Sequence, residues 1–123
     1  MSASLRNTMA WILQVVLGLF FMFAGFNKLR EMSATVTMFG NLGLPSVLAY
    51  VVGGAELLGG LGLLVPRLTR LAAVGLLIIM IGAVFMHATK IPGGLAGGLP
   101  ALVCLILLGV LIWLRQPITP ATT

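Results

Sequence analysis

The segment that decides the fold class is LAYVVGGAELLGGLGLLV at residues 48–65. Its residues are apolar or glycine except for one carboxylic acid, Glu56, close to the middle. A run of this length and hydrophobicity matches the roughly 17 to 25 residues that a helix needs to cross the hydrocarbon core of a bilayer. The segment therefore predicts a transmembrane helix that carries one ionisable group inside the membrane.

Three further apolar segments accompany it, at residues 9–29, 71–88 and 97–114. The composition agrees, because 60% of the 123 residues are hydrophobic, 7% are charged and the mean hydropathy is +1.20. A helix satisfies its own backbone hydrogen bonds, as a chain in lipid requires. We therefore predict a single integral membrane domain over residues 1–123, an all-α bundle of four transmembrane helices at about 9–29, 46–65, 71–88 and 97–114. Residues 116–123 are predicted to be a disordered polar tail.

Polar residues, glycine and proline separate these segments. The largest polar connection is LREMSATVTMFGNLGLP at residues 29–45, and Pro45 suits the first turn of the second helix. Pro66 ends that helix, and Thr69 is predicted to be the N-cap of the third. KIPGGLAGGLP at residues 90–100 separates the third helix from the fourth.

The net charge of +5 is spread over helix ends and forms no basic patch, which argues against nucleic acid as a partner and favours the lipid bilayer with its anionic head groups. Alternating helices place two sets of charged residues on opposite sides of the membrane. One set is Arg6, Arg67, Arg70 and Arg115, and the other is Lys28, Arg30, Lys90 and Glu31. Because cytoplasmic loops carry the excess of Lys and Arg, both termini are predicted to be cytoplasmic.

Glycines recur two helical turns apart in the first three segments. Residues with this spacing lie on one face, where small side chains let helix backbones approach closely in lipid. The pattern predicts either ordinary packing within one bundle or packing within a homo-oligomer, a dimer in the simplest case. The candidate packing residues are Gly18, Gly25, Gly53, Gly60, Gly75 and Gly82.

Glu56 calls for a partner, because a charge at the centre of a membrane helix costs about 2.5 to 3.5 kcal/mol or more. Lys28 and Asn27 near the end of the first helix, and His87 near the end of the third, belong to the same leaflet. Three interpretations follow: a structural pair that fixes helix register, a polar cavity for a ligand or redox partner, or a proton or ion pathway. The candidate ligand-binding or proton-exchanging residues are Glu56, Lys28, His87 and Asn27.

Cofactor ligation and independent catalysis have little support in the sequence. His87 is the single histidine, so bis-histidine haem ligation is excluded and ligation by a methionine with His87 is the weaker alternative. The single cysteine, Cys104, excludes an intramolecular disulfide and a CxxC motif, and no metal site is predicted. The sequence has no pattern that indicates a nucleophile with its base, so no catalytic residue is assigned and an independent enzyme is not predicted.

Three motifs together resemble the DoxX family of small four-helix bacterial membrane proteins. They are Phe21, Gly25 and Lys28 in an F-x-x-x-G-x-x-K pattern, the G-x-P at residues 43–45 followed by the glycine-flanked Glu56, and the A-V-F-x-H at residues 83–87. The resemblance covers about residues 10–115. It implies a multi-pass protein of the bacterial inner membrane, related to the membrane subunit of a quinone-linked thiosulfate oxidoreductase and associated with redox complexes.

Three functions are compatible with these observations. The first is a redox-associated membrane subunit whose bundle offers a polar site to a quinone. The second is a protein that binds or transports a small apolar compound without chemistry. The third is a structural membrane anchor that recruits a soluble partner enzyme through residues 30–46 or the cytoplasmic arginines. A soluble or membrane redox partner is a further candidate partner.

Overall fold

In the computed structural model, which describes residues 2–90 and 94–116, and for residues 95 and 96 the backbone alone, the described residues form helices joined by short turns. This confirms the predicted all-α class. The predicted tail at residues 116–123 lies outside the described residues except for Gln116. The helices are α1 (Ala3–Arg30), α2 (Met32–Asn41), α3 (Ser46–Leu63), α4 (Thr69–Thr89), α5 (Gly94–Gly97) and α6 (Leu99–Leu114).

Three of these helices, α1, α3 and α4, are long and apolar enough to cross a membrane. Helix α6 is apolar but has 16 residues, slightly fewer than the roughly 17 that a span requires. Its start is set by the glycines at residues 97 and 98, and the short α5 precedes it. The structure thus establishes three spanning candidates, and the predicted count of four is not established by helix length.

Helix α1 begins six residues before the apolar segment, at Ala3. Ser2 is its N-cap, and the Ser2 hydroxyl accepts a hydrogen bond from the Leu5 backbone N–H at 3.1 Å. A serine in this position satisfies one of the donors that a helix start leaves free. The extension therefore follows from a capping residue in the polar amino-terminal segment, which hydropathy does not register.

The connection at residues 29–45 contains a helix that the sequence did not predict, α2. Its buried face consists of two residues, Thr35 and Phe39, which lie one turn apart. It ends where Gly43 adopts a positive φ of 79°, while the Leu44 N–H bonds to the Phe39 carbonyl and the Gly43 N–H to the Gly40 carbonyl. This is a Schellman ending, which requires a glycine at that position. Ten residues with few apolar contacts give too weak a pattern to be recognised from sequence.

The predicted N-cap of the third long helix, Thr69, is wrong by one position. Leu68 occupies the cap and provides no side-chain hydrogen bond, while Thr69 is the first residue of α4. The Thr69 hydroxyl instead turns back toward the preceding turn and donates to the carbonyls of Leu63 and Val65, at 3.2 and 3.1 Å. The Thr69 hydroxyl is thus used by the carbonyls of the preceding turn and does not cap the amino end of α4.

The long helices close a ring, because α1 packs on α3, α3 on α4, α4 on α6 and α6 on α1. The interior of the ring is filled by Leu17, Phe21, Leu63, Leu76, Leu108 and Leu111. Many large apolar side chains point outward, and Leu71, Leu58 and Phe23 are among those more than 60% exposed. Apolar surface this extensive marks a face that contacts lipid or protein.

The closest helix contact lies between α1 and α3, where the glycines at 18, 25, 53 and 60 meet. A Cβ atom placed on Gly25 would lie 2.6 Å from the Gly53 carbonyl oxygen, and one on Gly60 2.6 Å from the Gly18 carbonyl oxygen. Gly75 and Gly82 on α4 differ, because a Cβ there would meet no atom of the described chain within 4 Å. These two glycines do not serve packing within the described chain, and packing against a second copy stays a prediction for them.

Candidate functional site

The acid in the middle of α3 contacts a lysine near the end of α1. The Lys28 Nζ lies 2.8 Å from the Glu56 Oε1, and the Glu56 side chain is only 3% exposed whereas that of Lys28 is 29% exposed. Glu56 stands ten residues beyond the start of α3, about 15 Å along the helix axis. Lysine reaches this depth because its long aliphatic stem runs along the apolar surface.

Glycine brings the two backbones close enough for this pair to form. Gly53, one turn before Glu56, faces the stems of Leu29 and Lys28, and a Cβ there would lie 3.4 Å from the Lys28 Cβ. Gly25, one turn before Lys28, is in contact with the backbone of Leu57. The glycines near Glu56 therefore allow the ion pair to form, because bulkier residues would hold the helices, and with them the two charged groups, further apart.

The ion pair is close in distance but is not a well-aligned hydrogen bond. Although Nζ and Oε1 are 2.8 Å apart, Oε1 has no partner with hydrogen-bond geometry in the described structure. We regard the pair as electrostatic contact, because Coulomb attraction depends on distance far more than on angle. The Lys28 ammonium thus neutralises a carboxylate that is almost fully shielded from solvent.

Both charged groups lie on the wall of a cavity of about 630 Å³ between α1, α2, α3, α4 and α6. His87 and Cys104 also line it, and the remaining wall is apolar side chains, glycine and proline. A cavity of this size, mostly apolar with a few converging polar groups, is the usual form of a small-molecule site. Glu56, Lys28 and His87 are therefore brought together, and Asn27 is not among the lining residues.

Asn27 has a different contact. Its side-chain oxygen accepts a hydrogen bond from the Arg30 Nη2 at 3.1 Å, one turn further along α1 at the exposed end of the helix. The neighbouring Lys28 points inward because adjacent helical residues lie about 100° apart around the axis. Sequence proximity to Lys28 therefore does not carry Asn27 into the cavity.

His87 is held near the end of α4 by the glycines that precede α6. A Cβ placed on Gly98 would lie 2.8 Å from the His87 Cβ, and one on Gly97 3.6 Å from the His87 Nδ1. Nδ1 is buried and has no hydrogen-bond partner in the part of the chain that the structure describes. His87 thus lines the cavity, while its Nδ1 stays buried without a hydrogen-bond partner among the described residues.

Helix α2 covers one side of the same cavity. Met38 and Phe39 of α2 and Leu42 beyond its end belong to the lining. The Thr35 hydroxyl lies 3.1 Å from both the Lys28 and the Glu31 carbonyl oxygens, which fixes α2 to the end of α1. Residues 30–46, which the sequence presented as a polar connection, therefore form part of the site.

A comparison with known proteins assigns the chain to a family. The DoxX family model matches residues 9–89, which is most of the described helical bundle. The chain belongs to the DoxX family. No solved structure matches the chain.

A comparison with curated proteins finds one relative with a functional name. It is "Putative oxidoreductase CatD" of Bacillus subtilis (strain 168), which is 36% identical over 81 residues, or 66% of this chain. The match covers 60% of the relative's length, so this chain spans less than two thirds of that protein. The DoxX match at residues 9–89 includes Lys28, Glu56 and His87, so all three cavity residues lie in the region that the family shares.

The bundle holds a second buried polar cluster that the sequence analysis missed. Gln14 in α1 is fully buried, and its Nε2 donates to the Leu63 carbonyl at 2.8 Å and lies 3.2 Å from the Thr69 hydroxyl. Its Oε1 accepts a hydrogen bond from the Arg115 Nε at 2.7 Å. The signal was available, because Gln14 is a lone amide in an apolar segment and the argument that singled out Glu56 applies to it.

Proposed function

We propose that this DoxX-family protein is a four-helix subunit of the bacterial inner membrane that binds a quinone in the cavity between its helices. The observation that carries the proposal is the Lys28–Glu56 ion pair on the wall of an otherwise apolar cavity. The "oxidoreductase" in the name of the B. subtilis relative supports a redox role for that protein, and the proposal extends it to this chain. Helix α6 would serve as the fourth span.

The cavity suits a quinone in its shape and in its few polar groups. A quinone ring is apolar on its faces and has carbonyl oxygens at its edge, which need donors when they leave water. The Lys28 ammonium provides such donors, and the His87 imidazole provides one when its N–H faces the ring. The volume of about 630 Å³ accommodates a bicyclic ring.

Each polar residue would have a distinct task. Lys28 would bind a quinone carbonyl, and Glu56 would hold the Lys28 ammonium in place through its Oε1. Electrons would come from a redox partner protein, and protons would pass through His87 and Glu56. Among the described residues no group of three or more His, Cys, Asp or Glu side chains could hold a metal ion.

Binding of menadione, measured by isothermal titration calorimetry on protein in nanodiscs, tests the proposal. Lys28→Met should weaken binding about tenfold or more, because a hydrogen bond to a charged group contributes about 1.5 to 3 kcal/mol. Glu56→Gln should weaken it less, since the ammonium remains but is no longer held. Glu31→Gln is the matched control, because Glu31 is the other acid of the chain and its side chain is 66% exposed.

The ligand methylnaphthalene separates this proposal from the second candidate, a carrier of small apolar compounds. That candidate is favoured by the apolar character of most of the cavity wall. Methylnaphthalene has the ring system of menadione without its carbonyls, so a quinone site should bind it much more weakly. Equal affinity for the two ligands, unchanged by Lys28→Met, would refute the quinone site and support the carrier.

Orientation in the membrane is a separate proposal, with both termini in the cytoplasm. Arg6 of α1 donates a hydrogen bond to the Leu114 carbonyl of α6, and Arg115 donates one to Asn7 of α1, so both arginines lie at one end of the bundle. Lys28 lies near the opposite end of α1. An alkaline phosphatase fusion after Thr123 should be inactive and a green fluorescent protein fusion there should be bright. The reverse result would place the cavity in the cytoplasmic leaflet.

A further inference from the structure

Positive charge is concentrated at the end of the bundle opposite the cavity. Arg6 and Arg115 meet there at the junction of α1 and α6, and Arg67 and Arg70 flank the start of α4. The chain has only two acidic residues, Glu31 and Glu56, and both contact cations at the other end. No acidic side chain therefore compensates these arginines.

The two guanidinium groups at this junction are held in place by hydrogen bonds to neutral groups. The Arg6 Nε donates to the Leu114 carbonyl at 2.8 Å and its Nη2 to the Trp113 carbonyl at 2.6 Å. The Arg115 Nε donates to the buried Gln14 and its Nη1 to the Asn7 side-chain oxygen at 2.9 Å. One terminal nitrogen of each arginine makes no hydrogen bond to the described residues.

A groove runs along α1 from the Arg115 contact toward the middle of the bundle. It is a shallow, open depression on the exposed face of α1, lined by Asn7, Thr8, Trp11, Ile12, Val15 and Val16. Its first residues are polar and its last are aliphatic, over a length of about 13 Å along the helix. The Arg115 guanidinium stacks 5.7 Å from the centre of the Trp11 ring, at the polar end of the groove.

We propose that this groove binds an anionic glycerophospholipid, with the phosphate on Arg115 and Asn7 and an acyl chain along Ile12, Val15 and Val16. The arginine fork is preorganised by Gln14, so little side-chain entropy is lost when it binds phosphate. The anionic lipid supplies the negative charge that the chain lacks at this end of the bundle. Trp11 lies where the head group meets the chains, the depth at which tryptophan is enriched in membrane proteins.

Tryptophan fluorescence reports on this groove, because the two tryptophans of the chain, Trp11 and Trp113, both lie at this junction. In a Trp113→Phe background, quenching of Trp11 is measured in vesicles of phosphatidylcholine with a small fraction of phosphatidylglycerol. The bromine quencher is placed on the acyl chains of one lipid or the other. Brominated phosphatidylglycerol should be enriched about fivefold at Trp11 relative to brominated phosphatidylcholine.

The variant Arg115→Gln should reduce this enrichment about two- to fivefold. The matched control is Arg70→Gln, which removes the same charge from an exposed position at the same end and should leave the enrichment nearly unchanged. Because Arg115 also contacts buried Gln14, Asn7→Ala provides a second variant on an exposed residue and should lower the enrichment in the same direction.

Three results would overturn the proposal. Equal quenching by the two brominated lipids in the Trp113→Phe protein would show that no anionic lipid is selected. An equal loss in Arg115→Gln and Arg70→Gln would attribute the enrichment to general surface charge. Displacement of the brominated lipid by soluble glycerol phosphate would show that the arginines bind free phosphate and that the apolar groove contributes nothing.

Discussion

Lys28→Met should cost about 3 to 5 kcal/mol of unfolding free energy, the largest loss expected from any single charge removal in this protein. The variant leaves the Glu56 carboxyl, whose side chain is 3% exposed, without its cation. Glu56→Leu should cost less, about 2 to 3 kcal/mol, because the 29% exposed ammonium of Lys28 can turn toward the membrane surface. The unequal burial of the two partners therefore predicts an unequal response to their removal.

The double variant Lys28→Met/Glu56→Leu completes the cycle and should be within about 1 kcal/mol of the wild type, or more stable. Unfolding by sodium dodecyl sulfate in mixed micelles, followed by circular dichroism, gives the free energies. The exposed neighbouring pair of Arg30 and Glu31, separated by 3.7 Å, is the control, and its removal should cost about 0 to 1 kcal/mol. Additive losses in the double variant would show that Lys28 and Glu56 do not interact, and the site would then lose its central contact.

Gly25→Ala and Gly60→Ala should each destabilise the bundle by about 3 kcal/mol or more, although alanine adds only one methyl group. The Cβ would lie 2.6 Å from the Gly53 carbonyl oxygen in the first variant and 2.6 Å from the Gly18 carbonyl oxygen in the second. Backbone atoms in packed helices cannot rotate away as side chains do, so the helices must separate. Gly60→Leu, with a larger side chain, should disrupt the contact further.

Gly75→Ala is the matched control for these glycine variants. It lies two turns inside α4, and a Cβ there meets no atom of the described chain within 4 Å. Since alanine favours helix by up to about 1 kcal/mol over glycine, this variant should be neutral or slightly stabilised in the monomer. A loss comparable to that of Gly25→Ala would indicate that α4 packs closely against a second copy of the chain.

The sequence predicted the helical class, and three of its four candidate site residues, Lys28, Glu56 and His87, line the cavity in the structure. Hydropathy depends on local composition, so the apolar segments can be recognised from the sequence alone. An acid within an apolar segment is conspicuous because a charge there is costly. The order of the helices in the ring depends on contacts between distant residues, which no local pattern encodes. The position of His87 likewise depends on Gly97 and Gly98, which belong to another part of the chain.

Short elements and neutral polar groups were the features that sequence analysis failed to predict. Helix α2 has a two-residue buried face, Thr35 and Phe39, which is too small to produce a recognisable period. Gln14 bears no charge and was passed over, yet it is as completely buried as the leucines around it. A lone amide in an apolar segment is visible in the sequence, but the groups that accept and donate its hydrogen bonds are known only from the structure.

The two polar clusters on α1 have a mechanical consequence. Gln14 fixes α1 to the end of α3 through the Leu63 carbonyl, and Lys28 fixes it to the middle of α3 through Glu56. These attachments lie 14 residues apart on α1, about 21 Å, and the interlocked glycines lie between them. Sliding α1 along α3 by one helical turn would break both attachments at once. The two helices should therefore move as one rigid body. A molecule passing between the bilayer and the cavity would then do so by displacing α2 or the α4–α6 side, and spin labels across α1 and α3 should report one fixed distance in every liganded state.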